Sequence, residues 1–253
     1  MRIVVFTVDH REYSPMATAP LIARRKGDIV KVLVSRSLFD LRFLINKMGF
    51  FVRNRYPFCI KAGDLYRFVK WKISERRHYP PTLNYYRWIG LDAEYIDDLK
   101  DPATLDRLKA LNADIFLFAL FDKIAPAAVL DIPRLGTYNL HPGLLPEYRG
   151  RQSSFWALRD GWPVAGATLH VATEKLDDGD IVSEVRFPVQ TRSMKLLMDE
   201  TILRAATMMA DGVDLIERGN APPISKEGRK AKYLSLPTAS DFKKFYARNC
   251  RLI

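Results

Sequence analysis

The chain has 253 residues, 48% hydrophobic and 27% charged, enough to bury a large core without disulfide or metal staples. Cys59 and Cys250 lie far apart in sequence, which fits a reduced chain better than a disulfide scaffold. The opening MRIVVFTVDHREY runs straight into charge and no apolar run approaches ~20 residues, so the pattern predicts a cytoplasmic protein without signal peptide or membrane span. The net charge of +11 is unevenly placed: residues 36–80 hold eleven Lys/Arg against three Asp/Glu, and residues 224–253 hold eight against two. The remainder is slightly acidic. Such a distribution implies a docking surface for something anionic on a near-neutral body, and argues against generic nucleic-acid binding.

In chain order, RIVVFTV reads as a buried strand. SPMATAPLIARRKGD predicts a helix with Ser14 as N-cap, Pro15 at the first helical position and Gly27 at the end. IVKVLVS reads as a second strand, and residues 36–80 follow as a basic insertion. Within it, DLYRFVKWKISERR predicts an amphipathic helix. Leu65, Val69 and Ile73 form one face, flanked by Phe68 and Trp71, with Arg67, Lys70 and Arg77 turned away. FLINKMGFFVRNRYPF adds aromatic residues among arginines. The insertion reads as a flap packed on the body, its basic face solvated or offered to an anionic substrate, a membrane surface or a partner protein.

TLNYYRWIGLDAEYI then reads as helix, turn and strand, and DPATLDRLKALN as a helix capped by Asp101. DIFLFAL, GTYNLH, ATLHVAT and IVSEVRFPV are further strands. A long helix runs from its cap at Ser193 to Gly219. Strands alternating with helices predict an α/β fold: an open, mainly parallel, Rossmann-like sheet with helices on both faces. Residues 1–223 read as one domain and 224–253 as a basic C-terminal tail.

Ligands of such sheets sit beyond the carboxyl ends of the strands, and TYNLHPGLLP ends there. Asn139 and His141 are two residues apart, so both project from one face of the strand. An amide and an imidazole side by side can bind an oxygen that gains negative charge while a proton moves, as acyl transfer requires. No Gly-x-Ser-x-Gly elbow supplies a nucleophile. TEKLDDGDIV places Asp177, Asp178 and Asp180 in a turn, and a carboxylate beside His141 would orient the imidazole and favour its charged form. Spacing alone does not choose among the three.

VLDIPRLGTYNLHPGLLPEYRG followed by GATLHVATEKLDDGDIV resembles the folate-dependent formyltransferases, from about Thr82 to Gly219. The catalytic domain of methionyl-tRNA formyltransferase is the nearer likeness, and glycinamide ribonucleotide formyltransferase shares the NLHPxLLP part. The resemblance implies Asn139, His141 and Asp177 as catalytic residues and formyl-tetrahydrofolate as formyl donor, with no metal. It places the pterin between Phe121, Asp122, Lys123, Ile124 and Ala125 on one side and Thr173, Glu174, Lys175 and Leu176 on the other. Gly143, Leu144, Leu145 and Pro146 would border the folate. His170, mid-strand in ATLHVAT, reads as a core residue or a support for the site.

The acceptor implied is the primary amine of a small, anionic molecule. TVDHREYSP lacks the glycine-rich phosphate loop expected for glycinamide ribonucleotide after the first strand. The chain ends at Ile253, short of a tRNA-binding domain, so tRNA formylation is disfavoured. An amino sugar on a nucleotide carrier is the preferred acceptor. Hydrolysis of the donor to formate, methionyl-tRNA-type formylation, or folate binding without turnover are the alternatives.

Overall fold

Strand β1 (Ile3–Val8) sits inside a sheet of seven described strands in the computed structural model, which describes residues 1–36 and 60–253. Its alternating side chains enter two cores. Ile3 and Val5 pack on one face of the sheet, Val4 and Phe6 on the other. The chain continues through α1 (Tyr13–Arg25), β2 (Ile29–Ser35), α2 (Ala62–His78), α3 (Thr82–Trp88), β3 (Ala93–Tyr95), α4 (Pro102–Ala110), β4 (Ile115–Ala119) and α5 (Ala127–Leu130). Then come β5 (Thr137–His141), β6 (Arg149–Gly150), α6 (Ser153–Asp160), β7 (Val164–Val171), β8 (Ile181–Pro188), α7 (Met194–Glu217), β9 (Tyr233–Leu234) and α8 (Ala239–Ala247).

The sheet order is β3-β2-β1-β4-β5-β7-β8. The first five strands are parallel, and β7 and β8 are antiparallel to their neighbours. This is the expected mainly parallel α/β fold. Strand order reverses between β1 and β4, and the crevice at such a reversal is the usual ligand site. Leu21 of α1 and Ile202, Met209 and Val213 of α7 cover one face. Phe6, Phe116 and Phe118 fill the other, with ring centroids 5.1 and 5.0 Å from Phe6.

Asp101 caps α4 and Ser193 caps α7, as predicted, each accepting a bond from a first-turn N–H. Gly219 has φ +65° just beyond α7, a left-handed stop that suits glycine. Ser14 is a correction. Helix α1 begins two residues earlier, at Tyr13, and Ser14 Oγ donates to Val8 O, tying the helix back to β1.

Helix α2 is also turned differently from its apolar pattern. Asp64 and Glu75 are the buried residues, at 1% and 5% exposure, while Leu65, Val69 and Ile73 are 45%, 47% and 50% exposed. The inward polar groups are all partnered. Asp64 accepts from Leu252 N and Arg67, Glu75 from Lys72, and Trp71 Nε1 donates to Glu12. These bonds offset the desolvation that would otherwise turn those side chains outward. The predicted segment FLINKMGFFVRNRYPF lies outside the described residues.

The basic segment 224–253 is threaded into the fold. Phe242, Phe245, Cys250 and Leu252 are buried with Phe155 and Trp156 of α6. Phe245 is stacked on Phe155 at 4.7 Å between centroids. Phe245→Ala should therefore cost about 3–5 kcal/mol of stability, read from urea unfolding. A cost near zero would show that the segment behaves as a loose tail.

Candidate active site

Strand pairing assembles the site. In the antiparallel register of β5 and β7, Asn139 lies opposite His170 and His141 opposite Thr168. Paired residues share a face, so all four side chains project from one side of the sheet at the carboxyl end of β5. Thr168 Oγ1 donates to Gly143 O at 2.9 Å and accepts from Leu145 N at 3.1 Å. The turn after His141 is thereby fixed by the strand beside it. A Cβ on Gly143 would stand 2.9 Å from His141 Nε2 and 2.8 Å from Ser153 Cβ, so only glycine leaves the imidazole edge clear.

His141 is 4% exposed. Its Nε2 donates to Tyr148 O at 2.6 Å, and its Nδ1 faces Asp177 Oδ1 at 3.5 Å. Asp177 has φ +52°, a conformation that aspartate tolerates better than most residues, and this turns its carboxylate inward to 6% exposure. Its other oxygen accepts from Gly150 N at 2.8 Å. Of the three aspartates left open by spacing, Asp177 is the one beside His141. Asp178 points outward to Arg149 at 3.0 Å, and Asp180 is exposed.

His170 completes the cluster. Its Nδ1 donates to Val171 O at 2.8 Å, which leaves Nε2 to accept from Asn139 Nδ2 at 3.0 Å. The amide of Asn139 is therefore oriented by a neutral imidazole. Burial pushes His170 down to about 4, helped by the nearby His141 and opposed by Asp177 Oδ1, 3.7 Å away. A histidine depressed in this way is neutral in the folded chain, whereas the unfolded chain takes up a proton near 6.5. Its contribution to stability is complete above about 6.5 and declines as pH falls towards about 4. His10, pushed by burial to about 4, adds to the same decline. His170→Asn should flatten the loss of unfolding free energy between pH 7.5 and 4.5, and an unchanged slope would mean that His170 titrates normally.

The residues expected to hold the donor are placed less uniformly. Leu144 and Leu145 are buried, and the Leu145–Pro146 peptide is cis. In the loop after β4, Phe121 packs on Phe6 and Phe118, Asp122 accepts from Ser35 Oγ at 2.5 Å, Lys123 donates to Asp97 O, and Ala125 is buried. Those side chains are engaged elsewhere, which leaves the backbone and the 67%-exposed Ile124. In the other loop, Thr173 Oγ1 donates to Lys175 O and Leu176 is 38% exposed. Glu174 accepts from Ala127 N at 3.2 Å and so ties the two loops together. Each loop thus presents one large apolar side chain outward, Ile124 and Leu176, while Leu176 O accepts from the Arg149 guanidinium. Tyr148, Gly150 and Thr168 support the site but have no signal of their own in the sequence.

A family model described as formyl transferase matches residues 92–207. The match contains Asn139, His141, His170 and Asp177. Residues 92–207 are similar to a formyl transferase domain. The chain is 33% identical over 144 residues to methionyl-tRNA formyltransferase from Synechococcus sp. strain JA-3-3Ab, covering 56% of this chain and 45% of that protein. It is 34% identical over 140 residues to the protein of the same name from Parabacteroides distasonis, covering 55% and 43%. The chain thus spans under half the length of these curated relatives.

The formyl transferase fold extends beyond the matched residues. Glycinamide ribonucleotide transformylase 1 from Symbiobacterium toebii superposes with a TM-score of 0.62 at 20% identity, over 92% of this chain and 94% of that one. An N-formyltransferase from Helicobacter canadensis, in complex with folinic acid and dTDP-3-aminofucose, superposes at 0.61 and 15% identity, over 93% of this chain and 71% of that one.

Proposed function

We propose that the protein transfers a formyl group from formyl-tetrahydrofolate to a primary amine. The observation that carries this reading is the cluster of half-buried Asn139 with buried His141 and Asp177 at the carboxyl end of β5. The donor, when bound, supplies an activated formyl carbon. Asn139 keeps a further amide N–H beyond the one given to His170, and this would stabilise negative charge on the formyl oxygen. His141 would share that task and pass a proton. Asp177 would hold the ring in place and stabilise positive charge on it. The loops 121–125 and 173–177 would read the pterin through backbone groups, and Gly143, Leu144, Leu145 and Pro146 would border it.

The acceptor we favour is an amino sugar carried on a nucleotide. Support comes from the loop after β1, which lacks a glycine and whose side chains are committed. Asp9 accepts from Thr82 N and Tyr95 Oη, Arg11 donates to Arg76 O and Tyr79 O, and Glu12 accepts from Trp71 and Lys195. A phosphate cradle of backbone N–H groups is not built there, which speaks against glycinamide ribonucleotide. The test compares kcat/KM for nucleotide-linked amino sugars, glycinamide ribonucleotide and methionyl-tRNA. At least a tenfold preference for an amino sugar is expected, and a preference for either of the others would overturn the acceptor assignment.

A further inference from the structure

Helix α2 has a side that the reaction does not use. Its outward face presents Leu65, Tyr66, Val69 and Ile73, at 45%, 68%, 47% and 50% exposure. These positions follow the helical repeat and form one continuous stripe. Lys70, Arg76 and Arg77 are exposed beside it. The two acidic residues of the helix, Asp64 and Glu75, are buried on the opposite side and paired, so every exposed charge on α2 is basic.

We propose that α2 is a docking surface for an anionic lipid bilayer, independent of the proposed reaction. The helix would lie in the interface plane, with the apolar stripe among the acyl chains and the lysine and arginines at the phosphate level. Charge complementarity selects this occupant. A surface that only tracks nucleic-acid phosphates has no use for four large exposed apolar side chains. A purely apolar protein contact has no use for a rim of one sign. No described helix is long and apolar enough to cross a membrane, so the contact would be peripheral.

Sedimentation of the full chain with vesicles tests this. One set is phosphatidylcholine alone, and the other carries about 30% phosphatidylglycerol, near the anionic content of many membranes. Partition onto the anionic vesicles should be at least tenfold higher and should weaken with salt. Two triple variants, Y66S/V69S/I73S and K70Q/R76Q/R77Q, should each lose about tenfold in partition. Both should keep the circular dichroism of the parent, because the replaced side chains are exposed. Equal partition onto both vesicle types would overturn the proposal. So would an apolar variant that binds like the parent, which would be the behaviour of a nucleic-acid or other purely electrostatic surface. Loss of parent self-association in the apolar variant, without any vesicle binding by the parent, would assign the stripe to a second copy of the chain instead.

Discussion

Replacing His141 by alanine should lower formyl transfer by about a thousandfold or more. The imidazole is 4% exposed, and its two ring nitrogens face Tyr148 O and Asp177. The nearby imidazole of His170 cannot take its place, because it is already committed to Val171 O and Asn139. A positioned acid–base group contributes typically ~10²–10⁴ in rate, and an oxyanion donor a further ~10²–10³. His141 is assigned a share of both. Asn139→Ala, which removes only the donor, should cost about a hundredfold to a thousandfold. Circular dichroism and folate-induced thermal stabilisation would separate these losses from unfolding. Turnover by His141→Ala within tenfold of the parent would remove the imidazole from the mechanism.

The second large effect is expected at Asp177. Asp177→Asn keeps the size and the left-handed turn, and its amide oxygen can still accept from Gly150 N. The charge beside His141 is lost. A drop of about a hundredfold is expected in kcat, with donor binding little changed. The contrast is Asp178→Asn. Asp178 is exposed and pairs with Arg149, and such a surface pair is worth little, so its loss should change kcat less than about twofold. The opposite ranking would shift the catalytic carboxylate by one position along the turn.

The strands were legible because each is a short apolar run bounded by turn residues, and their alternation with helices led to the parallel sheet. Asn139 and His141 were legible because a period of two puts them on one face at a strand end. The choice of Asp177 over Asp178 was not legible from spacing. It depends on a positive φ at residue 177 that turns one carboxylate inward and its neighbour outward. The part played by His170 depends on the register of β5 against β7, which pairs residues 31 positions apart. Helical periodicity found the apolar stripe of α2 but could not tell which side of the helix has partners. Asp64 and Glu75 are buried because Leu252 N, Arg67 and Lys72 meet them, and Leu252 is 188 residues away. Likewise, the side chains of residues 121–123 are occupied by Phe6, Ser35 and Asp97, contacts that exist only once the sheet has formed.

Formyl transfer itself is tested most directly by mixing the purified chain with formyl-tetrahydrofolate, with and without a nucleotide-linked amino sugar. Donor consumption is followed by absorbance and the amine by mass spectrometry. The assignment predicts consumption that depends on the amine and an acceptor that gains the mass of one formyl group, both abolished in His141→Ala. Release of formate at the same rate with and without any amine, or no turnover with folate bound, would contradict it.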